Sequence, residues 1–429
     1  MLLRSIMTDC RRPYNLMHPH PFHSDRHLPH VQRIWREIGW LQDDTPPEAL
    51  RLFCDHCQGW IAELHGQPEC YVATARGRLQ HRDKPLSLCS IPAVTTGLVA
   101  RKQGLASRLT AHALAQSYHR KPFALAGLGI FEQGFYDRLG FGTGTSERLY
   151  HITPAQLEVP PLQATPLRLD ADDWQRVHQN RLSRRTRHGA ASITSPHLTH
   201  AEILFHPGSF GLGFTDDAGR LTHHLWLHGD DNKQGPGPYF LTWMAYQSYD
   251  QCLQLFSLLR SLSDQIQRLR LLEPPALQLQ DLLNQPIAHH LLTEQSTFPL
   301  GARSLSFWQL RICDLPRTLD GLRFPSHSPL SFNLDLQDPI AHHLPDDAPW
   351  TGVAGPYHLT LGATSSATDG HRPHHPTLQC GVGALTRLLF GVAPATTLAI
   401  TDDLQGPTDL LQALDRHLQL PPPHTDWDL

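Results

Sequence analysis

Residues 86–106, LSLCSIPAVTTGLVARKQGLA, constrain the fold of this chain more than any other stretch. Leu86 to Thr95 reads as an apolar strand, a tight turn follows, and a helix begins near Gln103. The turn Arg101-Lys102-Gln103-Gly104-Leu105-Ala106 fits R-x-x-G-x-A. A helix start leaves its first backbone N–H groups unpaired, with the positive end of the macrodipole behind them. Gly104 and Ala106 put little side chain in the way, and Arg101 and Lys102 add charge, so a pyrophosphate could sit on bare backbone. Taken alone, the six residues read equally well as an ordinary strand-to-helix turn.

The spacing of a second motif separates the two readings. After a helix over Leu105 to Tyr118 and a strand over Phe123 to Leu128 comes Phe131-Glu132-Gln133-Gly134-Phe135-Tyr136-Asp137-Arg138-Leu139-Gly140-Phe141-Gly142. An R-x-x-G-x-A loop followed, one strand later, by F-Y-x-R-L-G-F resembles the GNAT acetyltransferase superfamily.

Around this centre the chain divides into three. The first unit, 1–150, opens with a short strand at Tyr14 to Met17; the start itself is expected at Met1 or Met7. Helices follow from Ser24 or Asp25 to about Ile38 and over Pro47 to Phe53, then a hairpin of Trp60–Leu64 and Cys70–Leu79. A linker at Glu158-Val159-Pro160-Pro161 leads into a second unit, 151–300, with a strand at 239–246, a helix at 249–262 and a strand at 266–272. That order repeats the first unit, but the loop position reads Ala245-Tyr246-Gln247-Ser248-Tyr249, with neither glycine nor cation. It is a degenerate repeat, unable to seat a pyrophosphate. From 301 to 429 the pattern becomes α+β, opening with a strand at Trp308 to Ile312 and ending on a Pro421-Pro422-Pro423 tail. The fold class is therefore mixed α/β.

The whole chain resembles the enhanced-intracellular-survival acetyltransferases, which join tandem GNAT folds to a sterol-carrier-protein-like domain. The resemblance rests on Ala93-Val94-Thr95-Thr96 entering the loop, on Glu132 to Gly142, on Tyr239 to Ala245 with Leu272-Glu273-Pro274-Pro275, and on Trp308 to Pro316. It implies an N-acetyltransferase moving an acetyl group from acetyl-CoA to an amine acceptor, aminoglycoside-like or a peptide or lysine amine. It also implies a homohexamer. Val94, Thr95 and Thr96 are then expected along the pantetheine. Arg101, Lys102, Gln103, Gly104, Leu105, Ala106 and Ser107 are expected around the pyrophosphate, and Phe131 and Glu132 beside the cofactor. Phe131 stands where the family often has a small polar residue. Tyr136 falls on the family's general acid, although outside the motif it reads as a core aromatic beside Phe135 and Phe141. The general base is implied to be the terminal carboxylate of Leu429.

Composition narrows the alternatives. A net charge of -4 argues against a nucleic-acid partner. No apolar run reaches the ~18 residues of a membrane span, and the first residues lack a signal-peptide pattern, so a cytoplasmic protein is expected. The eight cysteines suit reduced thiols. Cys54-Asp55-His56-Cys57 lacks a second ligand pair, and the thirty histidines have no partners at ligand spacing, so no metal is expected. Trp35, Trp40, Trp427, Asp426 and Asp428 are candidates for an acidic aromatic acceptor pocket. A lipid or sterol carrier and a non-catalytic acyl-CoA sensor are the competing functions.

Overall fold

The computed structural model describes residues 19–130, 134–229, 238–284, 301–324 and 328–429. The expected strand at Tyr14 to Met17, and Phe131 and Glu132, lie outside the described residues. Three sheets carry the fold. In the first, β1 (His20–Pro21), β2 (Gln58–Leu64), β3 (Gln67–His81), β4 (Lys84–Thr96) and β5 (Leu125–Gly129) lie side by side in that order. Helices α1 (Ser24–Glu37) and α2 (Pro47–His56) cover one face, and α3 (Leu105–Arg120) covers the other. The hairpin between β2 and β3 turns at His65 and Gly66, both at positive φ, which suits the tight turn that the strand twist requires.

The first sheet is closed by a strand from far along the chain. Trp308–Ile312 pairs antiparallel with β5 on one side and with β6 (Gly142–Thr143) on the other. The sequence places this strand at the opening of the third unit; the structure instead inserts it into the first sheet. All five of its residues are buried, and a strand buried on both edges needs partners that the short third-unit sheet does not provide. In exchange, β7 (Glu147–Ile152) leaves the first unit and pairs with Leu269–Leu272 and Gly301–Leu305 in the second sheet. Ala191–Ile193 pairs with the end of β3. The three units are thus laced together by main-chain hydrogen bonds.

The second sheet runs Gly301–Leu305, β7, Leu269–Leu272, Tyr239–Ala245, Leu221–Gly229, Phe210–Thr215, Leu167–Leu169. It repeats the first unit's parallel pair, Tyr239–Ala245 beside Leu269–Leu272, followed by the helix Tyr249–Ser261. The third sheet has Leu330–Gln337 at its centre. Phe332, Leu334, Leu359, Leu378, Leu385, Leu388 and Phe390 pack its interior with side chains. Among the described residues no helix is long and apolar enough to cross a membrane.

Candidate active site

The site begins with a defect in a ladder. β4 and β5 pair in parallel through Leu88–Leu125, Cys89–Ala126 and Ser90–Gly127, and the pairing stops there, although β4 continues to Thr96. The cause is local. Between Ala73 and Ala75 the β3–β4 register slips, so that Ile91 and Pro92 face Thr74 alone. A bulge bends its strand, and a proline removes the N–H that would continue a ladder. β4 therefore swings away from β5 and leaves a wedge. Val94, Thr95 and Thr96 pair with Val72, Tyr71 and Cys70 on β3, while their other edge has no strand. The buried Thr95 hydroxyl has no hydrogen-bond partner among the described residues. Pro92 is the signal that was legible in the sequence and not used.

Beyond β4 the chain reaches the anion loop. Lys102 and Gly104 both have positive φ, 61° and 76°, and Gly104 is the N-cap of α3. The helix starts at Leu105 rather than near Gln103, because Gly104 takes the left-handed conformation and the helix can form only after it. The N–H groups of Leu105, Ala106 and Ser107 meet no acceptor among the described residues, the first being taken up at Arg108 by the Gly104 carbonyl. Arg101 and Lys102 are exposed. Arg108, which the sequence reading passed over, donates to the Gln103 carbonyl at 2.9 Å and to the Gly104 carbonyl at 3.4 Å, and so fixes the loop from behind. Unpaired amides, a glycine cradle and an orphaned hydroxyl fit a pyrophosphate with an extended arm. In the second unit the corresponding helix start is closed by Ser248, whose side chain accepts from Gln251 N–H.

The chain end enters the wedge. Gly129 N–H donates to the main-chain oxygen of Leu429 at 3.0 Å, and a Cβ added at Gly127 would lie 2.9 Å from a Leu429 methyl. The tail thus crowds Gly127, whereas a Cβ at Gly129 would make ordinary contact, 3.5 Å from the Leu429 oxygen. Leu429 and Trp427 are both buried, so the expected apolar anchors of the tail do anchor it. Arg184 grips Asp426 with two hydrogen bonds, of 2.9 and 2.6 Å. Arg181 is stacked between Trp243 and Trp427, with its guanidinium carbon 4.0 and 3.8 Å from the ring centroids, and pairs with Glu202 at 2.6 Å. Upstream, Ala191 N–H donates to the Thr425 carbonyl and His424 N–H to that of His188.

Tyr136 sits in a short 3-10 turn, Tyr136–Leu139, buried against Phe135 and Phe141. Burial, and then the neighbouring Cys70, push its phenol above the usual range; its hydroxyl has no hydrogen-bond partner among the described residues. Tyr136 packs in the cluster under α3 with Cys70, Leu128 and Leu139. Leu429 packs in the cluster on the opposite face with Leu88, Leu125 and Leu310. The wedge is approached by Tyr136 from one face of the sheet and by Leu429 from the other. The turn is held from below by Arg311, which donates to the Leu139 carbonyl and pairs with Asp338 at 2.6 Å, both side chains fully buried.

A cavity of about 340 Å³ opens beside the tail. It is lined by Gly129, Trp243, Glu273, Arg185 and Leu429 among others. Of the acidic aromatic set expected here, Trp427, Asp426 and Asp428 line it, but Asp426 is already neutralised by Arg184. Trp35 is instead packed against Trp40, Phe53 and Phe205 under α1, away from the tail. Asp428 is exposed to the cavity, yet the protein packed around it, with the charge of Glu202, pushes its carboxyl up to about 6 against the pull of Arg181. Cys54 and Cys57 close α2, and burial raises both thiols, the first to about 12, which leaves them inert. Among the described residues no group of three metal-ligating side chains occurs.

Comparisons with known proteins agree with this geometry. A probable N-acyltransferase of unknown function from Enterococcus faecalis superposes with a TM-score of 0.76 at 16% identity, over 96% of this chain and 99% of that one. A GCN5-related N-acetyltransferase from Kribbella flavida gives 0.73 at 16%, over 97% and 100%. Eis1 from Mycobacterium abscessus gives 0.70 at 15%, over 96% and 100%. Residues 315–426 match the sterol carrier protein domain family. No curated protein sequence matches the chain. The chain shares the fold of these N-acetyltransferase structures, with a sterol-carrier-like domain towards its end. The fold is shared from end to end with the Mycobacterium protein.

Proposed function

We propose that the chain is an acetyl-CoA-dependent N-acetyltransferase acting on an amine acceptor, with Tyr136 as general acid and the Leu429 carboxylate as general base. The observation that carries the reading is the wedge between β4 and β5, with Leu429 bonded to Gly129 inside it and Tyr136 on the opposite face. Arg101 to Ser107 would hold the pyrophosphate, and the free edge of Val94 to Thr96 the pantetheine. Bound there, acetyl-CoA supplies an acyl group activated as a thioester.

The residues divide the proton work. A terminal carboxylate titrates near ~3.5 and an alkylammonium near ~10, so Leu429 cannot strip the amine in advance. The amine must therefore enter neutral, its first proton lost to solvent, and Leu429 takes the second proton as the new N–C bond makes the nitrogen acidic, which requires that it stand on the acceptor's side of the sheet. Tyr136 stands on the α3 side, with the anion loop, where the leaving thiolate must emerge. Burial raises its phenol, which keeps the proton on the oxygen at neutral pH. The second and third units act as walls and as the platform that delivers the tail. The filled interior of the third unit does not support the lipid-carrier alternative.

The test is Tyr136→Phe, which keeps the ring and removes the donor. The expected result is a fall in kcat of ~10²-fold or more, with acetyl-CoA affinity unchanged by calorimetry. An unaltered kcat would remove Tyr136 from the mechanism.

A further inference from the structure

The cavity beside the tail keeps two arginines that its carboxylates do not engage in an ion pair among the described residues. Arg181, Arg184, Arg185 and Arg187 all line it. Arg181 is paired with Glu202, and Arg184 with Asp426. Glu273 is engaged by Arg148 at 3.4 Å and by Leu279 N–H at 2.8 Å. Glu147 is buried beside His424, 3.8 Å away, and burial raises its carboxyl above the usual range. Arg185 and Arg187 make no ion pair among the described residues. Their guanidinium carbons lie 5.0 and 5.4 Å from the ring centroid of Tyr249, whose ring is 43% exposed.

The cavity therefore offers groups of both signs. Asp428 and Leu429 supply negative charge. Arg185, exposed, and Arg187, half-buried, supply positive charge with no ion pair among the described residues, beside the Tyr249 ring. A polycation such as an aminoglycoside would set like charge against these two arginines, at a cost that low local dielectric increases. An acceptor with an amine at one end and an anion at the other meets opposite charge at both. Guanidinium groups favour planar oxyanions, which they can bind through two parallel hydrogen bonds.

We infer that the acceptor is an amine that also carries a carboxylate, such as an amino acid or a short peptide, with Arg185 and Arg187 receiving the carboxylate. This assignment rests on the acetyl-transfer reading for the amine end; the arginine end stands on two guanidinium groups at the cavity that make no ion pair among the described residues. The carboxylate's two oxygens would satisfy their donors, and the Tyr249 ring lies against both arginines.

Two measurements on the full chain test it. In the first, CoA thiol release is followed with glycylglycine, β-alanine and 6-aminohexanoate, each against its matched amide. The acids should be preferred by about tenfold or more in kcat/KM, chiefly through KM, and the ratio should collapse towards one in the double variant Arg185→Gln, Arg187→Gln. Amides that match or exceed the acids, or a ratio that survives the double variant, would overturn the inference. The second measurement is calorimetry with N-acetylglycylglycine on CoA-saturated protein, which requires no turnover. Binding that the double variant weakens by about tenfold supports the arginine site even if no amine is acetylated, an outcome that would count against the acetyl-transfer reading alone. Binding that is absent or indifferent to the double variant overturns the inference.

Discussion

Arg184 and Asp426 form a two-pronged ion pair, Nε to Oδ2 at 2.9 Å and Nη2 to Oδ1 at 2.6 Å, that ties the second unit to the tail three residues before Leu429. Arg184 also donates to the carbonyls of Arg181 and Ala191 and, at 3.1 Å, to the Ser192 hydroxyl, so its position is set before the tail arrives. Asp426 itself has φ of 47°, the bend that turns the last three residues into the wedge. Both side chains are largely buried. Chain ends fray unless they are tied, and this is the strongest tie on the tail.

Breaking that tie should disable the site without touching the anion loop. Removing one partner of a buried pair typically costs about 3–5 kcal/mol because the other charge is stranded. Arg184→Met is expected to lower acetyl transfer by at least about tenfold and to expose the tail to carboxypeptidase, while acetyl-CoA affinity by calorimetry stays as it was. Arg184→Lys should recover only part of the loss, since an ammonium cannot reproduce the fork. Protease protection equal to that of the native chain in Arg184→Met would show that the tail is held elsewhere.

The third unit reaches the proposed acid as well as the proposed base. Arg311, on the inserted strand, and Asp338, in the third unit, are both fully buried, and Asp338 also accepts from Ile340 and Val353 N–H at 3.1 and 2.9 Å. Through Arg311 this network holds the Leu139 carbonyl at the end of the Tyr136 turn. Asp338→Asn should therefore cost about 3–5 kcal/mol in chemical denaturation and depress kcat more than the KM for acetyl-CoA. A loss of stability with kcat intact would reduce the pair to a purely structural role.

Asp428 gives the fold a pH dependence of known sign. Its carboxyl is raised from the usual value near 4 to about 6, first by burial and then by Glu202. A group raised in the folded state contributes stability below its unfolded value and loses that contribution as pH rises through its folded value. The native chain should thus lose stability relative to Asp428→Asn between about pH 4 and pH 7. Thermal melts are expected to coincide near pH 4 and to favour the variant at pH 8. A variant less stable than the native chain at pH 8 would mean that the Asp428 carboxylate is held by a favourable charge, with Arg181 outweighing burial.

What the sequence showed and what it hid follow from how local each feature is. The left-handed Gly104 and the unpaired amides after it were legible because they depend on six consecutive residues. The role proposed for Tyr136 comes from its motif alone, since nothing about a buried tyrosine beside Phe135 and Phe141 marks a proton donor. The lacing of the units was hidden. Trp308–Ile312 has the composition of any buried strand, and pairing with Leu125–Gly129 lies about 180 residues away in the chain. The arginines of 181–187 have the composition of a solvated basic run; only the fold brings Glu202 and Asp426 to two of them, while the other two make no ion pair among the described residues. Trp35 was open for the same reason, since an exposed aromatic pocket and a core cluster have the same residue types, and the fold places it in the core.

The account turns on the Leu429 carboxylate. The most direct test compares the chain ending at Leu429 with one extended by a short Gly-Ser segment and one lacking Asp428 and Leu429, each assayed for acetyl transfer and for acetyl-CoA binding. The account predicts that both altered chains lose acetyl transfer by ~10²-fold or more while binding acetyl-CoA with native affinity. Full activity in the extended chain, with its carboxylate moved out of the wedge, would contradict it.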